Sequence, residues 1–234
     1  MFYHLGPPLH DGPLPAIFYF ALSSQESLFV DPFNQPVEVW KNYPVRIFSV
    51  DLPFHGEGQA ATKAMDRWAE AFLAGQDPLT PFFLELQRSI RELFATGMIT
   101  KAAASGLSRG GFVASHIAAS FEEISTLMLF APLTDLASIK EFSPSPLVNT
   151  YLLSHLKKLL SQKKIRIHIG NRDLRVGTDS CYQFFTSLVE QAFSSGVRSP
   201  PFELLLTPSI GHLGHGTSSQ SFTEGALWLI KHLL

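Results

Sequence analysis

One cysteine, Cys181, stands among the 234 residues, so no intrachain disulfide and no thiolate metal cluster can form. A reducing compartment suits such a chain. No apolar run approaches the eighteen or so residues of a membrane-spanning helix. The first twenty residues, MFYHLGPPLHDGPLPAIFYF, have no basic segment and are broken by prolines before an apolar run reaches signal-peptide length. Integral membrane association is therefore not expected, and a cytoplasmic location is. Charge is also scarce: 16% of residues are charged, the formal net charge is −2, and the charges are scattered. No basic face suggests nucleic acid, and no basic amphipathic helix suggests a membrane surface. The phosphate loop G-x-x-x-x-G-K-[ST] and the dinucleotide fingerprint G-x-G-x-x-G are both missing. His212 and His215 are spaced i, i+3, but glycine disfavours a helix there and no Cys or acidic cluster joins them, so neither metal nor cofactor is expected.

What is present suits one domain with a large buried sheet: 45% of residues are hydrophobic and twenty are Phe. Most of these rings read as core, with a few left to line a pocket for an apolar substrate. Residues 1–15, rich in Pro and Gly, predict an irregular lead-in or a short edge hairpin. Buried strands are predicted at AIFYF (Ala16 to Phe20), VRIFSV (Val45 to Val50), a run ending near Ser105, ISTLMLF (Ile124 to Phe130), IRIHI (Ile165 to Ile169) and FELLL (Phe202 to Leu206). Ala21 to Ser24 reads as a loop. Helical spacing predicts helices over 36–41, with Asn34 as a cap, and over 63–73, 82–94, 110–121, 148–160, 179–193 and 221–234. The alternation predicts an α/β fold: a three-layer, doubly wound, mostly parallel sheet. Residues 131–164 form a short connection or minimal cap, and 1–234 form a single domain.

The chemistry falls on the loops after the strands, the edge where open α/β sheets bind ligands. Gly106-Leu107-Ser108-Arg109-Gly110-Gly111 lies between a strand and a helix, so Ser108 occupies a sharp, strained turn relieved by glycine neighbours. Gly170-Asn171-Arg172-Asp173 follows the fifth of these strands, and Ser209-Ile210-Gly211-His212 follows the sixth. Ser108, Asp173 and His212 thus reach one edge in the order Ser, Asp, His. His212 is preferred because it directly follows the strand-end turn; His215, also flanked by glycine, is the reserve. Asp135 is a reserve acid whose simpler reading is the N-cap of a turn through Ala137. Asp51 and His55, in DLPFHGEG, read as supports for the sheet edge.

With GLSRGG, GNRD, SIGH and DLPFHGEG in place, the chain resembles the α/β-hydrolase family from AIFYF to its final helix. The Ser-Arg-Gly-Gly form and GNRDLRVGT are similar to its dienelactone hydrolase and prolyl-oligopeptidase-like branches. The resemblance implies a nucleophile Ser108, a base His212 and an orienting acid Asp173. An oxyanion hole would be built from the backbone N–H groups of Arg109 and Leu22. Where the family usually has His-Gly after its first core strand, this chain has Phe20-Ala21. The expected activity is a carboxylesterase-type serine hydrolase acting on a small to medium ester or thioester through an acyl-enzyme. A peptidase-like hydrolase and a non-catalytic binder retaining the fold are the alternatives.

Overall fold

Among the residues described by the computed structural model, 2–56, 58–142 and 145–234, seven strands form one sheet. They are β1 (Tyr3–Leu5), β2 (Leu14–Phe20), β3 (Arg46–Ser49), β4 (Ile99–Leu107), β5 (Ile124–Phe130), β6 (Lys164–Gly170) and β7 (Phe202–Thr207), in the order β1-β3-β2-β4-β5-β6-β7. All neighbours are parallel except β1, which pairs antiparallel with β3. The lead-in is therefore an edge strand but not a hairpin with β2. Its continuation is held by Arg46, a fully buried cation whose guanidinium donates to the carbonyls of Pro7, Pro8 and Met98.

The strands read as continuous apolar runs because both faces are covered. In β2, Ala16, Phe18 and Phe20 enter one core while Ile17 and Tyr19 enter the other. In β5, Leu127 and Leu129 face the first and Met128 and Phe130 the second. The first core is closed by α3 (Ala64–Leu73), α4 (Leu79–Ala95), α5 (Arg109–Ser120), α6 (Lys157–Leu160) and α7 (Thr178–Ser194). The second is closed by α1 (Ser24–Phe29), α2 (Gln35–Trp40) and α8 (Ser219–Leu233). Helical spacing brings Trp68 and Phe72 of α3 and Phe83, Leu86 and Ile90 of α4 into the first core. Each such side chain stabilises the fold by about 1.5–3 kcal/mol on burial. Sheet and two helical layers make the three-layer architecture that the alternation predicts.

Two segments differ from the sequence reading. Helix α1 begins where a loop is expected, because Ser23 and Glu26 form a reciprocal capping box. The helix expected over 148–160 is instead two 3₁₀ turns, Pro146–Tyr151 and Leu153–Leu156, followed by α6, with Leu152 extended between the turns. Tertiary contacts outweigh helical spacing there: the Tyr151 hydroxyl bonds to Asp77 and Thr80, and its ring stacks on Phe72 at 5.8 Å. Burial and Asp77 together push the Tyr151 hydroxyl up to about 12. No helix of the described residues is long and apolar enough to cross a membrane.

Candidate active site

Strand β4 ends at Leu107 and α5 starts at Arg109, so a single residue, Ser108, makes the reversal with φ 55° and ψ −120°. A non-glycine residue there costs about 1–3 kcal/mol and persists only when its surroundings enforce it. The enforcement is visible on both sides of the residue. Ser108 N–H donates to Phe130 O at 2.9 Å, and Ser108 O accepts from Gly111 N and Leu133 N at 2.9 and 3.0 Å. A Cβ on Gly106 would overlap the Gly110 backbone, and one on Gly110 would overlap Phe20 O. These two glycines let β4, α5 and the loop after β2 meet within backbone contact.

Asp173 follows β6 and is 2% exposed. Its Oδ1 accepts from the N–H groups of Arg175 and Val176 at 2.9 and 3.0 Å, which leaves Oδ2 directed at a histidine. Thr178 braces the turn: its Oγ1 accepts from Asp173 N at 2.8 Å and donates to Gly170 O at 2.7 Å. Cys181 lies beneath on α7, its thiol pushed up to about 12 by burial and by the Asp173 charge.

The histidine that meets Asp173 is His215, not His212. Asp173 Oδ2 accepts from His215 Nδ1 at 2.7 Å, and His215 Nε2 lies 2.8 Å from Ser108 Oγ. A carboxylate only accepts, so the proton sits on Nδ1 and Nε2 is left to accept from the serine hydroxyl. The reason lies in the backbone after β7. Gly211, Leu213 and Gly214 all have positive φ, and a Cβ on Gly214 would overlap Arg172 O. The chain thus turns outward at His212, which is exposed, and folds back onto the Asp173 loop in time to place His215. Glycine on both sides of His215 was the available signal. Asp135 stays apart from this group, its carboxylate accepting from Ala137 N–H at 2.8 Å as a cap.

The loop after β2 borders Ser108 across Gly110. Leu22 N–H is directed at Ser27 Oγ (3.2 Å), as is Ala21 N–H (3.1 Å), while Leu22 O accepts from Leu52 N–H at 3.1 Å. Asp51 accepts from Ser24 N–H and Ser24 Oγ at 2.7 and 2.6 Å, so the DLPF stretch braces this loop rather than entering the site. The Leu22 N–H therefore already has a partner where an open donor is expected. Arg109 supplies the first N–H of α5, at the end of the helix that carries positive partial charge.

The Arg109 side chain was not singled out by sequence. Its guanidinium donates to His55 Nε2 at 2.9 Å, and His55 Nδ1 donates to Pro53 O at 2.9 Å, a carbonyl that also accepts from Trp68 Nε1. Burial first, and the Arg109 charge second, hold the His55 imidazole neutral down to about 4. Ser108, Arg109 and His215 open onto a cleft of about 570 Å³ whose walls include Leu22, Phe33, Ile210 and Phe222. Glu26 adds a carboxylate to the same wall. Among the described residues no group of three or more His, Cys, Asp or Glu could hold a metal ion.

Neither family models nor curated protein sequences give a match to the chain. Solved structures do. The protein TT1662 from Thermus thermophilus is similar over 99% of this chain and 92% of its own, with a TM-score of 0.72 and 14% identity. A cold-adapted esterase from an Arctic intertidal metagenomic library is similar over 100% and 88%, with a TM-score of 0.68 and 14% identity. An acylaminoacyl peptidase has a TM-score of 0.64 at 14% identity, covering 99% of this chain but only 38% of that one. The chain has the α/β-hydrolase fold: a mostly parallel seven-stranded sheet with helices on both sides, as in these neighbours.

Proposed function

We propose that the chain is a serine hydrolase that cleaves carboxylic esters or thioesters of small to medium size through a covalent acyl-enzyme. The observation that carries this reading is the unbroken line Asp173–His215–Ser108, with bonds of 2.7 and 2.8 Å, at the C-terminal edge of the sheet. Ser108 is a weak nucleophile as a neutral hydroxyl; His215 Nε2 takes its proton as Oγ attacks the acyl carbon, and Asp173 stabilises the imidazolium that forms. The backbone N–H of Arg109, with that of Leu22, holds the negative oxygen of the tetrahedral intermediate. His215 then protonates the leaving alcohol or thiol, and a water deprotonated by the same nitrogen releases the acid. The apolar cleft walls favour an apolar acyl or alcohol group, and the esterase named among the structural neighbours is in keeping with this chemistry.

Incubation with a fluorophosphonate, followed by mass mapping, tests the reading: adduct mass on Ser108 is expected, and no labelling of folded protein would leave a non-catalytic binder. A series of p-nitrophenyl esters beside thioesters and peptide anilides separates ester cleavage from the peptidase alternative. Rates confined to the anilides would replace esterase by peptidase.

A further inference from the structure

We propose that Ser27 is the positioning residue of the oxyanion loop, holding the Leu22 N–H, in the loop that meets the nucleophile turn at Gly110, until a developing oxyanion takes it over. This rests on the hydrolase reading above. Ser27 lies within α1 and is fully buried. Its hydroxyl proton is spent on Ser23 O at 2.6 Å, the i−4 bond that a helical serine commonly makes. That bond uses the donor alone and leaves two lone pairs. Both are filled by the loop after β2: Ala21 N–H at 3.1 Å and Leu22 N–H at 3.2 Å. Helix capping does not account for this, because Ser23 already caps α1 through Glu26 N–H. One hydroxyl thus fixes the direction of two consecutive peptide N–H groups beside Ser108.

The Leu22 bond is the longer of the two and goes to a neutral acceptor. An oxyanion is a stronger acceptor, since charge-assisted bonds are shorter and about twice as strong. Leu22 N–H can therefore be shared with, or passed to, the intermediate, while Ala21 N–H keeps its bond to Ser27 and the loop keeps its place. The donor is satisfied in the resting protein, at no cost in buried unpaired polar groups, and gains strength only as charge develops. That differential is what lowers a barrier. Apart from the acyl transfer already described, no covalent bond changes.

The test compares Ser27→Ala and Ser27→Thr with the wild type, using p-nitrophenyl butyrate turnover and a trifluoromethyl ketone as an analogue of the tetrahedral state. Ser27→Ala should lower kcat by about tenfold or more with KM nearly unchanged, and weaken the ketone by a similar factor. Ser27→Thr, which keeps the hydroxyl, should restore most of both. A Ser27→Ala protein with a lower Tm but unchanged kcat and ketone affinity would make the hydroxyl purely structural and overturn the proposal. A rise in kcat would overturn it too, by showing that Ser27 blocks the donor. If Ser27→Ala does not fold, Ser27→Cys, whose sulfur is a weak acceptor, should lower kcat and ketone affinity together, and a folded Ser27→Cys protein equal to the wild type in both overturns the proposal. Wild-type protein without Ser108 labelling would instead fail the hydrolase reading, so the two failures are distinct.

Discussion

Two histidines meet the Ser108-Arg109 turn with the same wiring. Each donates from Nδ1 to an oxygen and accepts at Nε2 from a side chain of that turn: His215 from Ser108, His55 from Arg109. The difference is the charge around them. His215 leans on a buried carboxylate, whereas His55 leans on a neutral carbonyl and faces a guanidinium. Burial and that cation keep His55 neutral down to about 4. Similar hydrogen-bond wiring thus suits the proposed base on one side and a neutral strut on the other, and the oxygen behind Nδ1 is what distinguishes them.

Removing either end of the His215 line should have the largest effect. Ser108→Ala and His215→Ala are each expected to lower kcat/KM by about 10⁴ or more in ester hydrolysis. Changing only the oxygen sharpens the comparison: Asp173→Asn retains the shape but loses the charge and the tautomer control, and should lower kcat by about 10⁴. His55→Ala should cost about 1–3 kcal/mol of stability in urea unfolding, because Pro53 O loses a donor and the Arg109 contact is lost. His55→Gln, able to donate and accept at similar spacing, should recover part of it. At the small end, His212→Ala should change kcat/KM by no more than about twofold, as befits an exposed residue. A comparable loss for His212→Ala and His215→Ala would break the assignment of the base.

Acid should also separate neutral struts from the rest of the molecule. Burial holds His55, His116 and His168 at about 4, below the ordinary 6.5. An unfolded chain binds these protons near 6.5 and the folded one only near 4, so stability is greatest above 6.5 and declines as pH falls from about 6.5 to about 4. Urea midpoints at pH 7 and pH 5 should show that decline. His168→Leu should flatten it by one proton's share, since neither His168 ring nitrogen has a partner among the described residues.

Periodicity made most of the architecture legible: every strand after β1 and most helices lie within a few residues of their apolar runs. The nucleophile turn was equally readable, because two glycines at fixed spacing are demanded by backbone contact. The histidine was harder. His212 has glycine on one side and His215 on both, but the turn inward is decided by the left-handed path through Gly211, Leu213 and Gly214. The contacts of Ser27 could not be read because they depend on a loop folding back onto α1, although Ser23-x-x-Glu26 was an available signal for the helix start. The broken helix near Tyr151 was unreadable for the same reason: its cause, Asp77 and Thr80, lies more than seventy residues away.

The missing methyl group at Gly110 has a consequence for how such a site can change. Since a Cβ there would strike Phe20 O, the close approach of α5 to the loop after β2 depends on a main-chain contact. Side chains of the cleft wall such as Phe33, Ile210 and Phe222 can be exchanged without touching that contact. Backbone sets that approach, while the shape of the cleft is left to side chains.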